Sequence, residues 1–321
     1  MKALVTGGTG FIGAYVTKAL LEGGHSVVCF DLMPDGNSLD RVLAGCSRER
    51  LTVVAGDVSD PVALIRAAGT SGVDTIVHLA ALLLVAADRD PVAAIRVNAL
   101  GFLYTLEAAR ALSLRRVVWA SSSTVYGDAK SYPHLDGVML GDNELHSTSN
   151  VYGAIKSLDE FMSRHYATQF GVDSIGLRHA VVYGYARTRG LGGGIELFER
   201  AAIGRPATVD HGDALLTWIY VEDAAEAMVM AATTTNPRTK GRIYNTGGTL
   251  ATPGDVAAIV RDLIPDVDIT VRPGKLLGAD LPTFDAARVA TDLNFRPTHD
   301  LRSGVRAAVN AARGAAGLTP V

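Results

Sequence analysis

An α/β fold, a doubly wound parallel sheet carrying a smaller mixed lobe toward the C-terminus, is what this sequence predicts. Three observations carry the prediction: short strands apolar along their whole length, their regular alternation with longer helical runs, and a glycine cluster between the first strand and the first helix. Strands apolar on both faces suit a parallel sheet covered by helices on both sides. The 321 residues suffice for one large or two modest domains. A composition of 48% hydrophobic and 20% charged residues belongs to a globular chain, not a disordered or fibrous one.

Lys2–Thr6 is the first apolar run, and Phe11–Glu22 has helical spacing that stops at Gly23-Gly24. Ser26–Asp31 and Leu51–Ala55 are the second and third strands, followed by 74–79 (DTIVHL), 115–120 (RRVVWA) and 172–177 as the fourth, fifth and sixth. Helical stretches fall at about 61–68, 91–112 and 150–170. The rhythm changes near residue 180, which sets the expected boundary of a first domain, 1–180. The second part, 181–321, opens with a glycine-rich segment at 190–194. A strand at 215–221, a helix at 222–232 and then short runs at Ile243–Asn245, Pro253–Leu263, 268–271, 284–293 and 301–313 follow. This part is expected to form the substrate lobe, with some segments returning to the sheet. No internal repeat and no charged or proline-rich linker separates the halves.

With 30 Lys+Arg against 33 Asp+Glu, the net charge of −3 gives no general electrostatic reason to bind nucleic acid or anionic lipid. The two cysteines, Cys29 and Cys46, build neither a disulfide framework nor a thiolate zinc site, and no metal is expected. Lys2 and a glycine cluster stand where a secretory signal needs an apolar run. The longest uncharged apolar stretch, 75–87, has 13 residues and is too short to span a bilayer. The expectation is a soluble cytoplasmic protein with a small-molecule substrate and no nucleic-acid or membrane partner.

TGGTGFIG at 6–13 places Gly7, Gly10 and Gly13 at three-residue intervals between strand and helix. One glycine makes the turn, a second lets the backbone approach a pyrophosphate, and the third lets helix and strand pack closely. Phe11 and Ile12 open the helix, whose unpaired N–H groups and dipole favour phosphate. Asp31 ends the second strand 18 residues beyond Gly13. A carboxylate there accepts from ribose hydroxyls and repels a 2′-phosphate; with no basic residue at 32–36, NAD is expected over NADP.

Tyr152 and Lys156 in NVYGAIK share one helical face at i and i+4. A phenol near pKa 10 is a poor base at neutral pH, but a neighbouring ammonium favours the phenolate and makes the pair an acid–base group near working pH. The fifth strand ends in Ser121-Ser122-Ser123, about 30 residues before Tyr152, where hydroxyls can hold a substrate oxygen.

These motifs resemble those of the extended short-chain dehydrogenases/reductases, in particular the NAD-dependent epimerase/dehydratase group. TGGTGFIG (6–13), Asp57-Val58, HLAA (78–81), Asn98, SSSTVYG (121–127), YGAIK (152–156) and LRHAVVYG (177–184) match its pattern in order. The resemblance implies a Rossmann-type fold and a cofactor lined by Asp31, Asp57, Val58, Leu79, Ala80, Ala81, Asn98, Tyr152, Lys156 and the segment around His179. It places the catalytic hydroxyl at Ser122, three residues before the Val of VYG, with Ser123 the runner-up. It also implies a homodimer, through the apolar stripes of 91–112 and 150–170. His78 is expected to be a buried structural histidine.

Departures from the family pattern narrow the chemistry. Its dehydratases carry a carboxylate just after the catalytic hydroxyl, where this chain has Ser123 and Thr124. Its UDP-sugar epimerases carry an Asn and an Arg where this chain has Val181 and Leu216, so a donor and a positive charge for the diphosphate are missing. The LLLVAA run after HLAA, with Leu83 in it, points to a drier pocket. Arg187, Arg189 and Arg272 are candidate anchors for a carboxylate or phosphate. The expected function is NAD-dependent hydride transfer at a secondary alcohol or ketone carbon of a sugar, a sugar derivative or a smaller hydroxy compound, giving epimerisation or net dehydrogenation. The competing reading is a non-catalytic NAD-binding, redox-sensing protein.

Overall fold

The computed structural model describes residues 1–35, 37–132, 139–188, 193–276 and 283–321. Its strands are β1 (Lys2–Thr6), β2 (Ser26–Asp31), β3 (Leu51–Ala55), β4 (Thr75–His78), β5 (Arg116–Ser122), β6 (Ser174–His179), β7 (Val181–Tyr183), β8 (Ala207–Val209), β9 (Leu216–Tyr220), β10 (Ile243–Asn245), β11 (Thr249–Ala251) and β12 (Ile269–Val271). Its helices are α1 (Phe11–Glu22), α2 (Asn37–Val42), α3 (Pro61–Ser71), α4 (Leu84–Arg89), α5 (Pro91–Ala94), α6 (Gly101–Ala111), α7 (Val151–Gln169), α8 (Val221–Thr233), α9 (Pro253–Leu263), α10 (Ala287–Leu293) and α11 (Leu301–Ala315).

Seven strands form one sheet in the order β10-β6-β5-β4-β1-β2-β3. Every pairing in it is parallel. The chain winds from β1 outward through β2 and β3, then crosses back to β4, β5 and β6. The reversal between β1 and β4 opens a crevice at the strand carboxyl ends, the place where open α/β sheets hold ligands. Alternate residues feed opposite cores. Ala3, Val5, Val27 and Cys29 pack with Val16 and Leu20 of α1, whereas Leu4, Val28 and Ile76 pack with Leu64 of α3 and Ala108 of α6. Burial on both faces is why these strands read as apolar throughout.

The six strands expected before residue 180 are present, with ends moved by one or two residues at most. The tail sends two elements back to the sheet. α8 packs on α1 and against β4, β5 and β6, and β10 pairs with β6 at the sheet edge. The remaining strands form a three-stranded sheet, β11-β9-β7, and a pair, β12-β8. The last four residues of the apolar LLLVAA run lie in the short helix α4, with Leu83 at its N-cap. The expected helix at 91–112 is interrupted by a π turn over Ile95–Leu100. By length and composition Pro91–Ala111 could cross a membrane, but half of its window is buried inside the chain, and α6 packs on α3 and α7. Of the glycine-rich segment at 190–194, residues 190–192 lie outside the described residues, as does Arg189.

Candidate active site

Gly7 makes the turn after β1 with φ +69°, a backbone region that favours glycine. A Cβ there would lie 2.8 Å from the Ala80 nitrogen, so bare backbone lets the loops after β1 and β4 meet at the crevice. A Cβ on Gly13 would fall 2.1 Å from the Gly7 carbonyl oxygen, so α1 starts directly on the turn. Gly10 caps α1 with no side-chain bond, and no acidic residue lies in the first turn. The N–H groups of Phe11 and Ile12 at the helix start therefore stay available, which fits a dinucleotide pyrophosphate. Asp31 stands at the rim of this cradle. Its carboxylate accepts from the Thr9 N–H at 3.2 Å and the Met33 N–H at 3.1 Å. Two such bonds orient it and leave lone pairs for ribose hydroxyls.

The Leu79 N–H donates to the Thr6 carbonyl at 3.0 Å, and Ala80 follows beside Gly7. His78 lies within the sheet, its Nδ1 2.9 Å from Thr6 Oγ1 and 3.1 Å from Thr105 Oγ1. Burial, with Lys156 adding to it, holds this imidazole down at about 3, so it stays neutral and structural. Asp57 gives one oxygen to the Ser59 N–H at 2.8 Å, which forms its turn, and Val58 is buried beneath α3. Asn98 sits fully buried in the π turn, its Oδ1 accepting from the Leu82 N–H at 2.7 Å and its Nδ2 donating to the Leu82 carbonyl at 2.9 Å. These two bonds hold the segment after β4 in place and leave one lone pair and one N–H of the amide for a further partner.

At the end of β5 the three serines separate. Ser121 turns inward and donates to Glu160 Oε1 at 2.7 Å. Ser122 pairs in register with His179, and its Oγ accepts from the Thr124 N–H at 3.2 Å. That bond uses the oxygen and leaves the hydroxyl proton of Ser122 to donate outward. Ser123 opens a short 3₁₀ turn, Ser123–Val125.

Asn150 caps α7 by accepting from the Gly153 N–H at 2.8 Å, and Asp88 accepts from the Val151 N–H at 3.0 Å. These two bonds set the start of α7, with Tyr152 in its first turn and Lys156 in its second. The Tyr152 ring packs with Ala87, Ala94, Ala99 and Ile155. Among the described residues no group hydrogen-bonds its hydroxyl. Lys156 is 2% exposed, its ammonium 5.8 Å from the Tyr152 ring centroid and 5.6 Å from that of Trp119. The electrostatics correct the simple picture of a primed phenol. Burial pushes Tyr152 up, Lys156 pulls it down and Asp159 pushes it up again, so the phenol ends above its ordinary value of 10. Desolvation of a phenolate outweighs a single ammonium that is already shared.

That sharing is one of two features missed in the sequence. Lys156 Nζ lies 3.3 Å from Asp159 Oδ2, and both residues are all but inaccessible. The second is a buried ionic network. Arg178 donates to Glu160 through Nε at 2.7 Å and Nη2 at 2.6 Å, and through Nη1 to the Tyr126 hydroxyl at 2.6 Å and the Asp142 carbonyl at 2.9 Å. Burial would raise the Glu160 carboxyl, but its bonds from Arg178 and His146 hold it at about 2. Asp159 and Glu160 are i+3 and i+4 from Lys156, a spacing that could have flagged both. His179 is buried, with Nδ1 3.2 Å from Thr246 Oγ1 and Nε2 without a partner among the described residues. Burial lowers it to about 4, so it presents a neutral imidazole beside Ser122.

On the substrate side, Leu83 is 44% exposed at the start of α4, and Val181 is half-buried in β7, paired with Trp218 of β9. Arg187 corrects the picture of an open anchor. It is buried, its Nη1 donates to the Val182 carbonyl at 2.9 Å, and burial lowers it to about 10. Arg272 is a surface residue paired with Asp210 at 3.2 Å. Leu216 is half-buried at the start of β9.

Comparison with known proteins gives the family and supports the fold. The family model described as NAD dependent epimerase/dehydratase matches residues 3–247. UDP-glucose 4-epimerase of Corynebacterium glutamicum is 31% identical over 262 residues, 77% of this chain and 75% of that protein. UDP-glucuronate 4-epimerase 4 of Arabidopsis thaliana is 27% identical over 335 residues, 94% of this chain and 73% of that protein. The crystal structure of Thermus thermophilus UDP-glucose 4-epimerase in complex with NAD superposes with a TM-score of 0.83 at 26% identity, covering 98% of this chain and 99% of that one.

Proposed function

Because this chain belongs to the NAD-dependent epimerase/dehydratase family, we propose that it oxidises and then re-reduces one secondary-alcohol carbon of a sugar, with epimerisation as the net result. The observation that carries this reading is the buried Tyr152–Lys156 pair on α7, a helix that packs on β5 and on the Ser123–Val125 turn that follows Ser122. Bound NAD supplies the hydride acceptor and donor. Around it, the Gly7–Gly13 turn and the start of α1 hold the pyrophosphate, Asp31 the adenosine ribose, and Lys156 the nicotinamide ribose. Ser122 donates to the reacting oxygen and fixes its position. Tyr152 takes the hydroxyl proton as the carbon is oxidised and returns it on re-reduction. Elimination is disfavoured, because Ser123 and Thr124 occupy the positions where the family's dehydratases carry an acid.

UDP-linked hexoses and hexuronates are the first substrates to test, on the names of the relatives above. Val181 and Leu216 give a diphosphate neither donor nor charge, which weights the choice toward binding through other groups. Incubation with UDP-glucose or UDP-glucuronate and a catalytic amount of NAD is expected to give the epimer with no free NADH. Stoichiometric free NADH would instead make the chain a net dehydrogenase.

A homodimer fits the same reading. Val92 and Ile95, 70% and 51% exposed, and Leu158 and Phe161 of α7, 45% and 60% exposed, offer apolar faces for pairing across a two-fold axis. Sedimentation equilibrium is expected to return twice the chain mass, and a monomer at micromolar concentration would reject the pairing.

A further inference from the structure

We propose that Asp159 is a positioning residue for proton transfer: its buried carboxylate shares the Lys156 ammonium and thereby sets how strongly that charge acts on Tyr152. The inference rests on the reading of Tyr152 as the acid–base group. Its basis is geometric. Asp159 Oδ2 lies 3.3 Å from Lys156 Nζ, Asp159 is 1% exposed, and the Tyr152 ring is 5.8 Å from the same ammonium. All three project from one face of α7 at spacings of four and three residues.

A buried ammonium needs a counter-charge, and among the described residues this one has a single carboxylate partner. The other groups around the pair do not replace it. On α7, Glu160 is committed to Arg178 of β6, Ser121 of β5 and His146. From β4 comes His78, held neutral, and from β5 the uncharged ring of Trp119. α6 contributes Phe102, tilted against Trp119, and further along Glu107, bonded to Tyr166.

The physical consequence has a sign. An ionised Asp159 cancels part of the Lys156 charge and disfavours the Tyr152 phenolate; a protonated Asp159 leaves that charge whole and favours it. Burial pushes the Asp159 carboxyl up to about 7 even against the pull of Lys156, so the exchange between these two conditions falls within the working range. The Tyr152 proton affinity then rises with pH through neutrality, and the two groups titrate as a coupled unit.

The test needs neither cofactor nor substrate. In the full chain carrying ¹³Cζ-labelled tyrosine, the Tyr152 resonance, assigned by its loss in Tyr152→Phe, is expected to show a step as pH passes through neutrality. The step is expected to vanish in Asp159→Asn and persist in Asp159→Glu, which keeps the carboxylate. In turnover assays, Asp159→Asn is expected to move the rising limb of kcat for oxidation to lower pH by about one unit, a tenfold change in Tyr152 acidity. No step in the wild-type chain, or a step unchanged in Asp159→Asn, would overturn the proposal. If Asp159→Asn does not fold, the wild-type step and its retention in Asp159→Glu still decide. A chain that shows the step yet turns over no sugar retains the Asp159 coupling and loses the epimerase reading.

Discussion

Tyr152→Phe is expected to lower turnover by about 10²–10⁴-fold while NAD affinity stays within a few fold. The substitution removes one oxygen and leaves the ring in its pocket of Ala87, Ala94, Ala99 and Ile155. No group among the described residues bonds that oxygen, so its loss strands no buried partner and the fold should be untouched. Lys156 and the glycine cradle are likewise left in place, which is why cofactor binding should survive. The measurement is kcat against the NAD dissociation constant of the same preparation. Ser122→Ala in the same assay is expected to lose more activity than Ser123→Ala, because the Ser122 oxygen is oriented by the Thr124 N–H and its proton is left to donate, whereas no such bond orients the Ser123 hydroxyl among the described residues. Residual turnover within tenfold of wild type in Tyr152→Phe would mean that another group takes the proton.

Arg178→Ala is expected to destabilise the protein by about 3–5 kcal/mol, since it leaves the Glu160 carboxylate buried without its main partner. Arg178 and Glu160 are 2% and 0% exposed and meet through two parallel bonds, so solvent screening cannot soften the loss. The same guanidinium also holds the Tyr126 hydroxyl and the Asp142 carbonyl, tying β6 to the 126 and 142 loops. A urea midpoint measured at neutral pH checks the size. Glu160→Gln in the Arg178→Ala background is expected to recover part of it, by removing the stranded charge. The pH dependence follows from Glu160, whose carboxyl is lowered from 4.5 to about 2 in the folded chain. A depressed folded value means that the pair stabilises fully above about 4.5 and that this stability is lost as pH falls toward 2. The gap between wild type and Arg178→Ala is therefore expected to narrow in acid. A loss under 1 kcal/mol at neutral pH would place the pair with ordinary surface ion pairs.

The parts of the fold that were legible in the sequence are those that local chemistry determines. The Gly7–Gly13 turn is legible because strand, turn and helix succeed each other within a dozen residues and each glycine answers a steric demand. Tyr152 and Lys156 are legible because i and i+4 share a helix face. Alternate burial of β1 and β2 on two cores explains why their uniform hydrophobicity pointed to a covered parallel sheet. What escaped depends on distant partners. Tyr126 meets Asn245 across 119 residues, and Arg178 meets Glu160 from another element altogether. β10 is only three residues long, and its place beside β6 is set by pairing rather than by its own pattern. The π turn over Ile95–Leu100 likewise left no mark in the helical spacing of 91–112. Asp159 went unread at i+3 from Lys156, because its meaning needed the burial that makes the ammonium share its charge.

The same incubation with a sugar nucleotide, run with deuterium on the reacting carbon and unlabelled NAD, tests the central claim most directly. Hydride removal and return within one binding event predicts the epimer with deuterium still on that carbon and none in the water. Deuterium released to solvent would contradict the account, because it would show that the carbon loses a proton rather than a hydride.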